Sequence, residues 1–144
     1  MPVPQADLDA VKQFLSETNR AILMTFRRDG RIQSSPMSVI ADDEGNVLIA
    51  TGSKAVKVKN LARDPRATVS LITDKFLGPW VQVEGTAEIQ RLPQALPALA
   101  DFYQRRNGTD TSTAEWRERV TAEDRVLIKL KTERVTLAPV LRQR

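Results

Sequence analysis

Two turn signals do most to fix what this chain can become. Asp29-Gly30 and the run Asp42-Asp43-Glu44-Gly45-Asn46 punctuate the first third of the sequence between short, apolar-rich segments. Glycine accepts the positive φ that tight hairpin turns need. Strands joined by such short turns pair antiparallel, because a parallel pair needs a long crossover. The succession of turns therefore favours an antiparallel sheet that closes into a barrel.

The segments between the turns give about six strands. Arg20 to Arg28 is the first, and a second follows Asp29-Gly30 as far as about Ala41. Val47 to Thr51 is short and apolar, and Arg66 to Thr73 is alternating and β-branched. In Trp80 to Ile89, Val81, Val83 and Ala87 alternate with Gln82, Glu84 and Glu88. Arg125 to Leu137 supplies one or two final strands. Helices are expected over residues 5–17, over Lys54 to Asp64 ahead of Pro65, over 93–106 and over about 114–120. In the first of these, Leu8, Val11, Phe14 and Leu15 share a face, which predicts a helix packed onto the barrel.

At 144 residues the chain is read as one domain, 1–144, large enough to bury a core without staples. It contains no cysteine and no histidine. Disulfides, thiol chemistry, zinc sites and serine–histidine triads are thereby excluded, and no metal is expected. No segment approaches the roughly 20 apolar residues of a membrane span, and the first residues do not read as a signal peptide. A cytoplasmic location is expected.

Charge is concentrated in one place. Residues 52–66 hold Lys54, Lys57, Lys59, Arg63 and Arg66 against Asp64, a local excess equal to the +4 of the whole chain. The run lies where a strand hands over to a helix, whose free N–H groups and dipole suit an anion such as phosphate. A solvated helix face is the competing reading. A nucleic-acid patch is a third, disfavoured because no aromatic residues interleave with the cations.

Several segments together resemble the split-barrel family of pyridoxine-phosphate-oxidase-like flavin proteins. They are Ala21-Ile22-Leu23-Met24-Thr25 with Asp29 to Pro36, Lys57 to Ala67, Val83-Glu84-Gly85-Thr86-Ala87, and Asp124-Arg125-Val126-Leu127-Ile128. The likeness is closer to the actinobacterial branch that binds the deazaflavin coenzyme F-420. It implies an α+β, mainly β fold, a split β-barrel of the FMN-binding type with peripheral helices. It also implies a homodimer with cofactors in grooves between the subunits. In such proteins the lysine matching Lys57 holds the cofactor phosphate, helped by the strand end matching Thr51 and Ser53. Gln33, Ser35, Lys54 and Asn60 join them as expected cofactor-binding residues, Asn60 lying one helical turn beyond Lys57. Trp80 stands where oxidase relatives place a glutamine that reaches the flavin across the interface. It is expected either to pack against the tricyclic ring or to be a core or interface residue.

The chain departs from the oxidases in instructive ways. Pro36 replaces their arginine, their C-terminal substrate histidine is missing, and Thr136-Leu137-Ala138-Pro139 lacks the leading arginine of their terminal motif. Pyridoxine phosphate oxidation is therefore disfavoured. Ala55 lies near an arginine found in some deazaflavin relatives, and Lys54 is the candidate substitute. The resemblance thus implies an F-420-dependent reductase, with hydride passing from the reduced cofactor to an unsaturated or carbonyl-type small molecule. An FMN-dependent oxidoreductase and a non-catalytic F-420 or flavin carrier are the alternatives. No catalytic side chain is singled out. The proton is left to solvent, Tyr103 or the substrate.

Overall fold

The computed structural model describes residues 2–142. Seven strands form one antiparallel sheet: β1 Arg20–Phe26, β2 Ile32–Ser38, β3 Ile40–Ala41, β4 Val47–Gly52, β5 Arg66–Ile72, β6 Val81–Gln90 and β7 Arg125–Leu137. The helices are α1 Gln5–Glu17, α2 Val56–Arg63, α3 Leu96–Asn107, α4 Ala114–Ala122 and the short α5 Pro139–Arg142. The sheet order is β2-β1-β5-β6-β7-β4-β3.

The two outer strands of that order are neighbours in sequence, separated only by Val39. Two residues of extended chain span about 7 Å, so the sheet must curl until its edges meet. Val39 is fully buried at this seam, and its N–H donates to the Asn19 carbonyl at 2.9 Å. The result is the split barrel that the resemblance implied. The expected single strand to Ala41 is in fact two, because at Val39 the backbone turns from pairing with β1 to pairing with β4.

Alternation sorts the side chains into an interior and an exterior. Ala21, Leu23, Ile49, Val69, Val83 and Ile128 fill the barrel. Helices close both ends of it. Val11 and Phe14 of α1 and Val58 and Leu61 of α2 belong to the same core. The N-terminal helix is therefore packed as its apolar face predicts, with Leu8 against the turn at Gly45. Gly45 has φ +84, and a Cβ there would lie 2.9 Å from the Leu8 Cβ. On the exterior, α3 and α4 cover β3, β4 and β7 through Leu48, Leu99, Phe102, Trp116 and Leu127. Trp116 is thus a packing residue. The outer face of β1 has no such helix over it, and Ile22, Met24 and Phe26 are left half-buried there.

Some boundaries differ from those read in the sequence. The first strand stops at Phe26, since residues 27–31 form the turn, with Arg27 N–H bonded to the Arg31 carbonyl at 2.7 Å. The third helix starts at Leu96, after a turn at Pro93, and the last strand is single and continuous.

Candidate cofactor site

The basic segment folds into the corner where β4 leaves the barrel. Beyond Gly52, the Ser53 N–H donates to the Asp124 carbonyl at 3.0 Å, and the Ser53 hydroxyl donates to the Asp124 carboxylate at 2.6 Å. The Ala55 N–H donates back to the Gly52 carbonyl at 3.1 Å. Helix α2 then begins with Ala55 in the capping position, a residue with no side-chain acceptor to offer. The first helical bonds run from the Val58 and Lys59 amides to the Ala55 carbonyl. The amides of Val56 and Lys57 lie ahead of them and find no acceptor among the described residues. Unpaired donors at the positive end of a helix are an anion site in waiting.

Packing decides which way the lysines of α2 point. Val58, Asn60 and Leu61 are buried and define its inner side. At about 100° per residue, Lys57 lies between the directions of Asn60 and Leu61, and Lys59 points roughly opposite. Lys57 is accordingly half-buried, while Lys54 and Lys59 are exposed. The other two cations of the run are committed to structure. The Arg63 guanidinium donates to the Phe26 carbonyl at 2.8 Å and to Asn60 Oδ1 at 3.0 Å. Arg66 makes three hydrogen bonds to Asp64, one from its backbone N–H at 3.2 Å and two from its guanidinium at 3.0 and 2.7 Å, and the guanidinium lies 4.7 Å from the Phe26 ring centre. Those bonds from Arg66 hold the Asp64 carboxyl down at about 2. Among the described residues Lys54, Lys57 and Lys59 enter no ion pair.

Strand β2 forms the facing wall. β3 and β4 pair Ile40 with Leu48 and Ala41 with Val47. Continued backward, that register would set Met37 against Thr51 and Ser35 against Ser53. The pairing stops at Ile40 instead, and the barrel is split from there outward. The inner face of β2 carries Gln33, Ser35 and Met37, paired across β1 with Thr25, Leu23 and Ala21. Gln33 Oε1 and Ser35 Oγ are buried atoms without a hydrogen-bond partner. Buried polar atoms are rarely left in this state, since each costs about 1–3 kcal/mol unless something bonds to it.

Gln33 and Ser35 on β2, Thr51 and Ser53 at the end of β4, and Lys54 and Lys57 at the start of α2 border the region beyond the point where the β3–β4 pairing stops. Thr51 is buried at the end of β4, on the barrel side. Asn60 is only 4% exposed and turned inward, its amide donating to Thr25 Oγ1 at 3.1 Å. With Arg63 on its Oδ1, it holds α2 to the end of β1. Trp80 sits at the other end of the barrel, ahead of β6. Its carbonyl accepts from the Ala138 N–H at 3.1 Å and its side chain is 40% exposed. The seven residues of β5 separate that end from α2, about 20 Å at a strand's rise. Tyr103 lies edge-on between Phe102 and Trp116, in the helical layer outside the barrel. A groove of about 740 Å³ between α1, the end of β7 and α5 is also remote.

Sequence reasoning did not single out Asp124 or Thr25 as site residues. Asp124 stands inside a segment that carries the family resemblance, but its bond to Ser53 links positions 71 apart and leaves no local signal.

A curled antiparallel sheet of seven strands with helices packed against it is a split β-barrel. The chain belongs to the pyridoxamine 5'-phosphate oxidase family, whose model matches residues 8–138. Among solved structures it is similar to a conserved hypothetical protein of Mycobacterium tuberculosis, with 27% identity, a TM-score of 0.72, and coverage of 90% of this chain and 82% of that one. It is also similar to an F420 reductase, at 23% identity and TM-score 0.68, covering 93% and 98% of the two chains. A putative pyridoxamine 5'-phosphate oxidase of Listeria innocua aligns at 14% identity and TM-score 0.69, covering 90% and 96%. No helix of the described residues is long and apolar enough to cross a membrane.

Proposed function

We propose that the protein is a coenzyme F-420-dependent reductase acting on an unsaturated or carbonyl-type small molecule. One observation carries the reading. Gln33 Oε1 and Ser35 Oγ on β2, and the amides of Val56 and Lys57 at the start of α2, are left without hydrogen-bond partners among the described residues. Both sets of groups want a polar ligand between them. A phosphate oxygen suits the helix amides, Lys57 and the Ser35 hydroxyl together. The likeness to an F420 reductase supports the choice of cofactor.

When bound, the reduced deazaflavin would supply a hydride from its ring carbon. The chain's own part is binding and exclusion of water. Lys57 and the α2 amides anchor the phosphate, Lys54 adds charge at the rim, and Ser53, Thr51, Ser35 and Gln33 orient the neighbouring polar groups. No histidine or cysteine is needed for this.

The same reading makes the working unit a homodimer with the cofactor between subunits. Lys57 and Trp80 lie too far apart in one protomer to touch the same ring and phosphate closely. Two copies packed through the uncovered outer face of β1 would supply them from different chains. A cytoplasmic setting goes with this reading.

The test is parallel titration with F-420 and with FMN, followed by absorbance and fluorescence. Saturable 1:1 binding of F-420 per chain, with turnover on a panel of quinones and enones, is the expected result. Tight FMN binding without F-420 binding would replace the reading by an FMN oxidoreductase, and F-420 binding without any turnover by a carrier.

A further inference from the structure

The Ser53–Asp124 pair adds something that the cofactor reading alone does not contain. Asp124 is the residue at which α4 ends and β7 begins. Its N–H donates to the Thr121 carbonyl at 3.0 Å, and its φ is +47, the left-handed region. Its main-chain carbonyl and its carboxylate both accept from Ser53, so the turn leading into α2 is held at two points by one residue. A hydroxyl has one hydrogen to donate. Ser53 spends it on Asp124, and toward the split it has only lone pairs to offer. A negative charge is thereby fixed one hydrogen bond away from the corner where an anion would sit.

We infer that Asp124 is a specificity-determining residue, which sets the charge state of the phosphate group that this corner accepts. This rests on the cofactor reading above. A phosphate monoester such as FMN carries close to two negative charges at neutral pH. A phosphodiester, the linkage in F-420, carries one. The amides of α2 and Lys57 attract both, and the Asp124 carboxylate repels the dianion more. The pair also sets the geometry of the corner, since Ser53 is held through both its amide and its hydroxyl. Asp124 therefore has two separable parts, a hydrogen-bond acceptor that holds the turn and a charge that discriminates.

Two substitutions divide those parts. Asp124→Asn keeps an acceptor for Ser53 and removes the charge, and asparagine is at ease at positive φ. Asp124→Gly keeps the backbone conformation and removes the side-chain bond. Wild type and both variants would be titrated with FMN and with F-420 at low and high salt, reading cofactor fluorescence. Asp124 is exposed, so solvent screens its charge, and Asp124→Asn should tighten FMN about two- to five-fold and F-420 by clearly less, with the difference shrinking at high salt. Asp124→Gly should gain less for FMN than Asp124→Asn does, because the turn is loosened. Equal gains for both cofactors with Asp124→Asn, or no change for either, would overturn the discrimination while leaving the site intact. Binding of neither cofactor by the wild type would sink the reading of the site, and the inference with it.

Discussion

Asn60 Nδ2 donates to Thr25 Oγ1 at 3.1 Å, a side-chain pair buried where α2 crosses the mouth of the barrel. Asn60 Oδ1 accepts in turn from Arg63, which reaches on to the Phe26 carbonyl. Four groups from α2 and the end of β1 thus satisfy one another, with the Asn60–Thr25 pair buried and Arg63 at the exposed edge. Thr25→Val keeps the shape and strands the Asn60 amide. It should cost about 1–3 kcal/mol of stability. Urea unfolding checks this, with a lower midpoint and an unchanged slope as the expected result.

Gly85 lies at the irregularity where β6 shifts register against β7. A Cβ there would stand 1.9 Å from the Lys131 carbonyl oxygen, which is backbone and has nowhere to go. Gly85→Ala should therefore destabilise by about 3 kcal/mol or more, or fail to fold. Gly30→Ala is the control, because nothing lies within 4 Å of its Cβ position and only the strain of φ +87 is incurred. Thermal melts of the two variants should rank in that order.

Lys57 and Lys59 differ in direction and not in charge. Lys57→Ala should weaken F-420 binding about ten- to a hundred-fold, as expected for loss of one charge-assisted contact. Lys59→Ala removes the same charge from the opposite side of α2 and should do much less. Equal losses in a fluorescence titration would show diffuse attraction in place of a specific anchor.

The outer face of β1 is the surface on which the proposed dimer depends. Ile22, Met24 and Phe26 are half-buried there, flanked by Thr68, Ser70 and Ile72 of β5 and by Ser34 and Pro36 of β2. Obligate interfaces commonly bury about 2,000 Å² or more. Light scattering at micromolar concentration should give a dimer for the wild type and a monomer for Met24→Glu. Loss of cofactor binding in the same variant is expected, because the proposed site takes residues from two chains.

Asp64 gives a pH signature. Its carboxyl is held at about 2 by the hydrogen bonds from Arg66, below its ordinary 3.8. A depressed carboxyl contributes stability that is present above the unfolded value and is lost as pH falls through the folded one. The pair should thus be fully effective at neutral pH and fade between about pH 4 and 2. Carboxyl-carbon NMR should follow the Asp64 titration, and Arg66→Gln should return it toward 3.8.

The barrel was legible because its turns are marked by residues with a reason to be there. Gly30 and Gly45 adopt φ +87 and +84, and the Asp42 carboxylate accepts from the Glu44 and Asn46 amides to close its own turn. The break at Val39 was not legible. An apolar residue continues the strand pattern, and what turns the backbone is its bond to Asn19, a tertiary event. Lys57 was legible as charge beside a helix start. Gln33 and Ser35 came in with the resemblance, and no periodicity shows that their oxygens lack partners. Helical spacing alone puts Asn60 beside Lys57. It cannot reveal that Thr25, 35 positions earlier, is there to meet it.

The place of β7 between β6 and β4 has a consequence for how the molecule is made. Before Arg125 is reached, the chain has two separate half-sheets. One is the β2-β1-β5-β6 meander, and the other is the β3-β4 hairpin, tethered to it through Val39. Only β7 unites them, through pairs such as Ile49 with Ile128 and Gly85 with Thr132. Those pairs reach across 79 and 47 positions of chain, so loop closure is met late and all at once. During synthesis the apolar edges of β4 and β6 stand open until this one strand arrives. The keystone of the barrel is thus the same segment whose first residue follows Asp124. Folding is completed by the strand that begins beside Asp124, the residue holding the turn before α2.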